Sequence, residues 1–85
     1  MRSIMSHQVT LADLIESLAD FDKHGGASVT LVAWDLCVED YQLLELWHQA
    51  TRDGLIRPSG GDQQQILYRL TPAGWAAYDD QLESA

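Results

Sequence analysis

Residues 40–56, DYQLLELWHQATRDGLI, decide the fold, because they spell a helix that ends in a short strand. Wound at roughly 100° per residue, Leu43, Leu46, Trp47 and Ala50 gather on one side, and Tyr41, Glu45, His48 and Arg52 gather on the other. The first side is core, and the periodicity alone leaves the use of the second open. Asp40 can cap the free N–H groups of the first turn. The Asp53-Gly54 pair can end the helix through a left-handed residue, after which Leu55-Ile56 leave as a strand.

Downstream, Arg57-Pro58-Ser59-Gly60-Gly61-Asp62 forms a turn cluster, with Gly60-Gly61 as the expected hairpin turn. Ile66, Tyr68 and Leu70 then alternate with Leu67, Arg69 and Thr71, the period of a strand. Thr71-Pro72 opens a last helix, threonine as cap and proline at the first helical position, where its missing N–H costs nothing. Trp75, Tyr78 and Leu82 form its buried or partner-facing stripe.

Upstream, Thr10-Leu11-Ala12-Asp13 has the form of a capping box, and Leu11, Leu14, Ile15 and Leu18 recur at helical spacing. Asp13, Glu16 and Asp20 make the solvated face of that helix, and His24-Gly25-Gly26 ends it. Ala27 to Val38 is nearly continuous apolar sequence, and its period fits a strand as well as a short helix capped by Thr30.

A helix followed by Gly54-Leu55-Ile56, a Gly-rich loop and then Tyr68-Arg69-Leu70-Thr71-Pro72-Ala73-Gly74 resembles the second half of winged-helix regulators of the MarR and PadR type. The resemblance covers residues 9 to 83. It implies a brief extended segment at Ser28-Val29, then a second helix through Ala33 and Leu36, and a turn at Glu39-Asp40. The expected architecture is thus α+β: a three-helix helix-turn-helix core, a two-stranded wing and a C-terminal helix. Residues 9–85 form the single domain behind a flexible tail, residues 1–8. The resemblance further implies that Tyr41, Gln42, Leu44, Glu45, His48, Gln49 and Arg52 form the recognition-helix face. Thr30, Arg57 and Arg69 become the phosphate and wing contacts, and Trp75, Tyr78 and Leu82 the dimer contacts.

Charge pulls against a duplex. Thirteen Asp and Glu oppose five Lys and Arg, a formal net charge of -8 in 85 residues, so the long-range field repels nucleic acid and anionic membranes. Glu45 sits in the middle of the recognition face, where a carboxylate can accept only from a cytosine amino group, and Asp62-Gln63-Gln64-Gln65 gives the wing tip no cation. The expected function is therefore that of a small acidic winged-helix module acting through protein contact or homodimerisation. DNA is disfavoured as a partner, and the alternative is a DNA-binding transcriptional regulator.

Catalysis finds no support. His7, His24 and His48 fall in the tail, at a helix end and on an exposed face, without a second metal ligand at a suitable spacing. Asp79-Asp80 and Glu39-Asp40 are adjacent and so diverge on a helix. No cofactor, metal or small-molecule site is expected. The single cysteine, Cys37, lies in an apolar run and is expected to be a small buried hydrophobe of a reducing, cytoplasmic compartment. No run approaches the ~18 apolar residues of a membrane span.

Overall fold

The computed structural model describes residues 8–84. The expected flexible tail therefore lies outside the described residues except for Gln8, as does His7. The elements are α1 (Leu11–Phe21), a 3₁₀ turn (Asp22–His24), α2 (Val29–Leu36), α3 (Asp40–Arg52), β1 (Ile56–Gly61), β2 (Ile66–Leu70) and α4 (Pro72–Ser84). With β1 and β2 antiparallel, this is the expected α+β winged helix.

The first helix starts as its sequence dictates. Thr10 Oγ1 accepts from the Asp13 N–H at 3.2 Å, and the Asp13 carboxylate accepts from the Thr10 N–H at 3.0 Å, so two orphan donors of the helix end are satisfied reciprocally. Leu14, Ile15 and Leu18 are buried against Val32 and Ala33 of α2, Leu43, Trp47 and Ala50 of α3, and Ile56 and Leu70 of the wing base. Five elements thus share one core.

The region left open by its period becomes helix, but Ser28 caps it in place of Thr30. Ala27 is drawn into a bridge with β2, donating to the Tyr68 carbonyl at 3.0 Å and accepting from the Tyr68 N–H at 2.8 Å. Extended backbone therefore runs to Ser28, whose Oγ accepts from the Leu31 N–H at 3.2 Å, and Thr30 falls inside the first turn.

Cys37 overturns its expectation of burial: it is exposed. It ends α2 in the left-handed region, at φ 61°, to let the chain reverse into α3. A side chain there costs roughly 1–2 kcal/mol that glycine does not pay. Denaturant titration should accordingly find Cys37→Gly more stable than Cys37→Ala by about 1 kcal/mol, a difference reduced from the full strain by the greater unfolded-state entropy of glycine.

The start of α3 also shifts by one residue. Glu39 is the cap, its N–H donating at 2.9 Å to Oε1 of Gln42, while Asp40 is already helical and accepts from the Thr30 hydroxyl at 3.1 Å. At the far end Gly54 takes φ 74°, as the Asp-Gly pair requires.

In the wing, Gly60 and Gly61 belong to β1 and are not the hairpin turn. The reversal lies at Asp62–Gln65, where Asp62 Oδ1 accepts from the N–H groups of Gln64 and Gln65 at 2.9 and 2.8 Å. Those two bonds, that from Gln65 foremost, hold the Asp62 carboxyl below the usual carboxylate range. The register slips between Pro58 and Gly60, a bulge that lets a proline-containing arm stay in the ribbon.

The last helix begins where expected, with Thr71 Oγ1 accepting from the Gly74 N–H at 3.1 Å. Trp75 and Tyr78 are half-buried against the core and meet edge to face, ring centroids 5.6 Å apart, so both help to close the domain. Leu82 is 56% exposed. Among the described residues no helix is long and apolar enough to cross a membrane.

Candidate nucleic-acid interface

The outer face of α3 is exposed as its periodicity predicts, but the fold divides it between two depressions. Leu44, His48 and Arg52 turn toward the wing and, with Thr51, Trp47, Gln63, Gln64, Gln65, Ile66 and Tyr68, line a groove of about 540 Å³. Tyr41, Gln42 and Glu45 turn the other way, toward Gln8 and Val9, around a second depression of about 410 Å³. Gln49 is half-buried and lines neither.

The floor of the groove is made by Trp47, which reaches from the core side of α3 to stand edge-on to Tyr68, ring centroids 5.2 Å apart. This aromatic contact, with the Ala27–Tyr68 bridge behind it, fixes the distance between α3 and the wing. Around the floor stand hydrogen-bonding groups: the three glutamines, His48 and Thr51, whose hydroxyl donates to the Trp47 carbonyl at 2.8 Å. Ser28 ties the groove to the wing tip through its hydroxyl, which donates to Gln65 Oε1 at 3.4 Å, a long bond.

The three expected phosphate contacts do not converge. Thr30 lines the groove, but its hydroxyl proton is committed to Asp40. Arg69 donates through Nε and Nη2 to both oxygens of Asp22, at 2.9 and 3.0 Å, so its guanidinium is held by the end of α1. Arg57 is paired across the ribbon with Arg69, and paired residues share a face. Alternation along β2 places that face opposite to Tyr68 and Leu70, away from the groove. Arg52 is then the guanidinium of the groove itself.

Sequence reasoning did not find Asp22 as the partner of Arg69, 47 positions away. Its role follows from the register: without it two like charges would face each other across the ribbon. The hydrogen bond and charge of Arg69 hold the Asp22 carboxyl below its usual range. A carboxyl depressed in the folded state contributes stability above its unfolded pKa and loses it as pH falls through the folded value. Thermal melts between pH 7 and pH 2 should therefore show a shallower acid limb for Arg69→Met than for the parent. The neutral-pH difference should be small, because the pair is largely exposed.

No protein-family model matches the chain, and no curated protein matches it. Solved structures do. A MarR-family transcriptional regulator from Silicibacter pomeroyi aligns at 28% identity and TM-score 0.67 over 88% of this chain and 51% of its own. The YusO protein of Bacillus subtilis aligns at 26% identity and TM-score 0.70, over 88% of this chain and 54% of its own. The Staphylococcus aureus MarR solved with salicylate and kanamycin, at 19% identity and TM-score 0.62, shares the fold over 84% of this chain and 53% of its own. Architecture and neighbours together define a winged-helix domain. Within that class it is a MarR-like winged helix, and the chain spans about half the length of the solved structures it matches.

Proposed function

We propose that this chain is the DNA-reading module of a winged-helix transcription regulator, and that it works as one of two or more assembled domains. The observation that carries the reading is the shared groove: the ridge Leu44, His48 and Arg52 of α3 and the wing-tip glutamines face one another across it. That layout presents a helix to a major groove with a wing beside it, and Gln, Thr and Arg side chains are suited to base edges. Two of the solved neighbours, including the one from Silicibacter pomeroyi, are named as MarR-family transcription regulators. Work in the cytoplasm as a nonenzymatic protein accords with this role.

Assembly is needed because one domain brings little cationic charge. Arg69 is engaged, leaving Arg52 and Arg57 as the guanidinium groups without an ion pair among the described residues. Even with both of them on phosphates the salt slope would be only about -1.8, against proteins that make ~6–10 such contacts. Fluorescence anisotropy in ~50 mM salt should find the lone chain no tighter than the ~10⁻⁴–10⁻⁶ M range of non-specific binding. A tandem fusion with a linker long enough to span adjacent half-sites should bind a selected duplex about a hundredfold tighter, with twice the salt slope, and lose this in Arg52→Ala. If neither form binds a duplex in a salt-sensitive way, the reading fails.

A second reading, action through protein contact alone, is favoured by the N-terminal end of α3. A helix start is ordinarily an anion site, and here Glu39 and Asp40 already occupy it, with Glu45 exposed one turn further on. A duplex-inactive tandem would support this reading.

A further inference from the structure

The outer face of α2, with the adjoining start of α3, has features the groove does not use. Trp34 is 76% exposed and Tyr41 73% exposed, the two aromatic side chains most open to solvent among the exposed large hydrophobics, and Leu31 stands one turn before Trp34. Neither ring closes the core. The hydrogen bond from Thr30 to Asp40 pins the start of α3 beside α2, one turn of α2 before Trp34. Asp35 follows Trp34 in the chain, Glu39 and Asp40 precede Tyr41, and all three are exposed. Between Lys23 and Arg52 the sequence has no Lys or Arg, so no cation of the same segment offsets them.

We propose that this face docks a cationic segment of another protein, its Arg or Lys side chains stacking on Trp34 and Tyr41 and pairing with the surrounding carboxylates. Charge complementarity selects that occupant. Electron-rich ring faces beside carboxylates attract a guanidinium twice over, by cation–π contact and by ion pairing, and they repel a phosphate backbone. Exposed Trp and Tyr are also the side chains that most often dominate binding energy when a partner covers them. Asp35 uses Oδ2 for the Ser17 hydroxyl and Asp40 uses Oδ2 for Thr30, so Oδ1 of each has no hydrogen bond among the described residues. The surface goes beyond the duplex reading, and Trp34, Asp35, Glu39, Asp40 and Tyr41 are not among the residues that line the groove with Arg52.

The test uses the full chain and a short synthetic peptide of alternating arginine and leucine, with a glutamate-leucine peptide and a random duplex as comparisons. Titration followed by amide and indole NMR shifts should move Leu31, Trp34, Asp35 and Glu39 to Tyr41 with the cationic peptide and leave them still with the anionic one. Trp34→Ser, a change at an exposed position, should weaken binding about tenfold. Glu39→Gln should weaken it and flatten its salt dependence. Arg52→Ala should leave peptide affinity unchanged while it weakens duplex binding, so failure of either reading is separable from the other. Shifts spread evenly over the acids of α1 and α4, an unchanged affinity in Trp34→Ser, or perturbation of Trp34 by the duplex in place of the peptide would overturn the proposal.

Discussion

Trp47→Ala is expected to cost about 3–5 kcal/mol, the range for removing a large buried aromatic. The indole is only 5% exposed and sits where α3, the core and the wing meet. Its loss removes the apolar surface that α3 turns inward and also the edge that Tyr68 stands on. A domain of this size has a total stability of only ~5–15 kcal/mol, so the variant should be partly unfolded at moderate temperature. Equilibrium urea unfolding followed by far-UV circular dichroism reads the loss. Trp47→Phe should recover more than half of it, because a smaller ring still packs against Tyr68. Equal losses in the two variants would show that the contact with Tyr68 contributes nothing.

Gly26→Ala is the second large effect, from a position with no side chain to lose. Gly26 has φ 107°, and a Cβ there would overlap the Tyr68 carbonyl oxygen and lie 2.8 Å from Cγ of Arg69. Relief requires moving β2, which breaks both hydrogen bonds of the Ala27–Tyr68 bridge. Left-handed strain of roughly 1–2 kcal/mol and overpacking of ~1–3 kcal/mol together predict a loss of about 3 kcal/mol. Gly25→Ala is the control: its φ is 93° but nothing lies within 4 Å of the added carbon, so only the strain remains and the loss should be about half as large. The same urea titration checks both, and equal losses would assign the whole effect to backbone strain.

These two positions show what could be inferred from sequence and what could not. The Leu43, Trp47 and Ala50 stripe is a local property of a 3.6-residue period, so α3 and its inward face followed directly from the residues. The same holds for the Thr10–Asp13 box and the Thr71–Pro72 start, each of which needs only neighbouring atoms. The structure departs from the sequence pattern where a contact or a chain reversal that no local period encodes decides the outcome. Ser28 displaced Thr30 as the cap because Tyr68 holds Ala27 extended, and no pattern near residue 28 encodes that. Arg69 looked available for phosphate until Asp22 met it from the end of α1. Gly60-Gly61 has the composition of a turn, yet the two carboxylate-bound amides beyond Asp62 stabilise a later reversal. Cys37 sits in apolar sequence, but the chain must turn there, and a turn between two packed helices faces outward.

On α3, periodicity matches the exposure of the expected face except at Gln49, but it could not divide those residues. The division depends on where the wing and the N-terminal segment come to rest, on either side of the helix. The expectation that net charge disfavours DNA treated the surface as uniform. The folded chain instead has a groove whose lining includes Arg52 and no carboxylate, while Asp35, Glu39 and Asp40 lie outside it.

The Ala27–Tyr68 bridge has a further consequence for the wing. A hairpin attached only at its base could swing to suit whatever lay beside it, whereas this one is clamped partway along its return arm. Under the proposed duplex reading, α3 and the ribbon then act as the fixed jaws of a caliper. A duplex offered to those jaws has to supply the matching groove spacing itself, so discrimination would rest on how cheaply a given base sequence bends or narrows to fit.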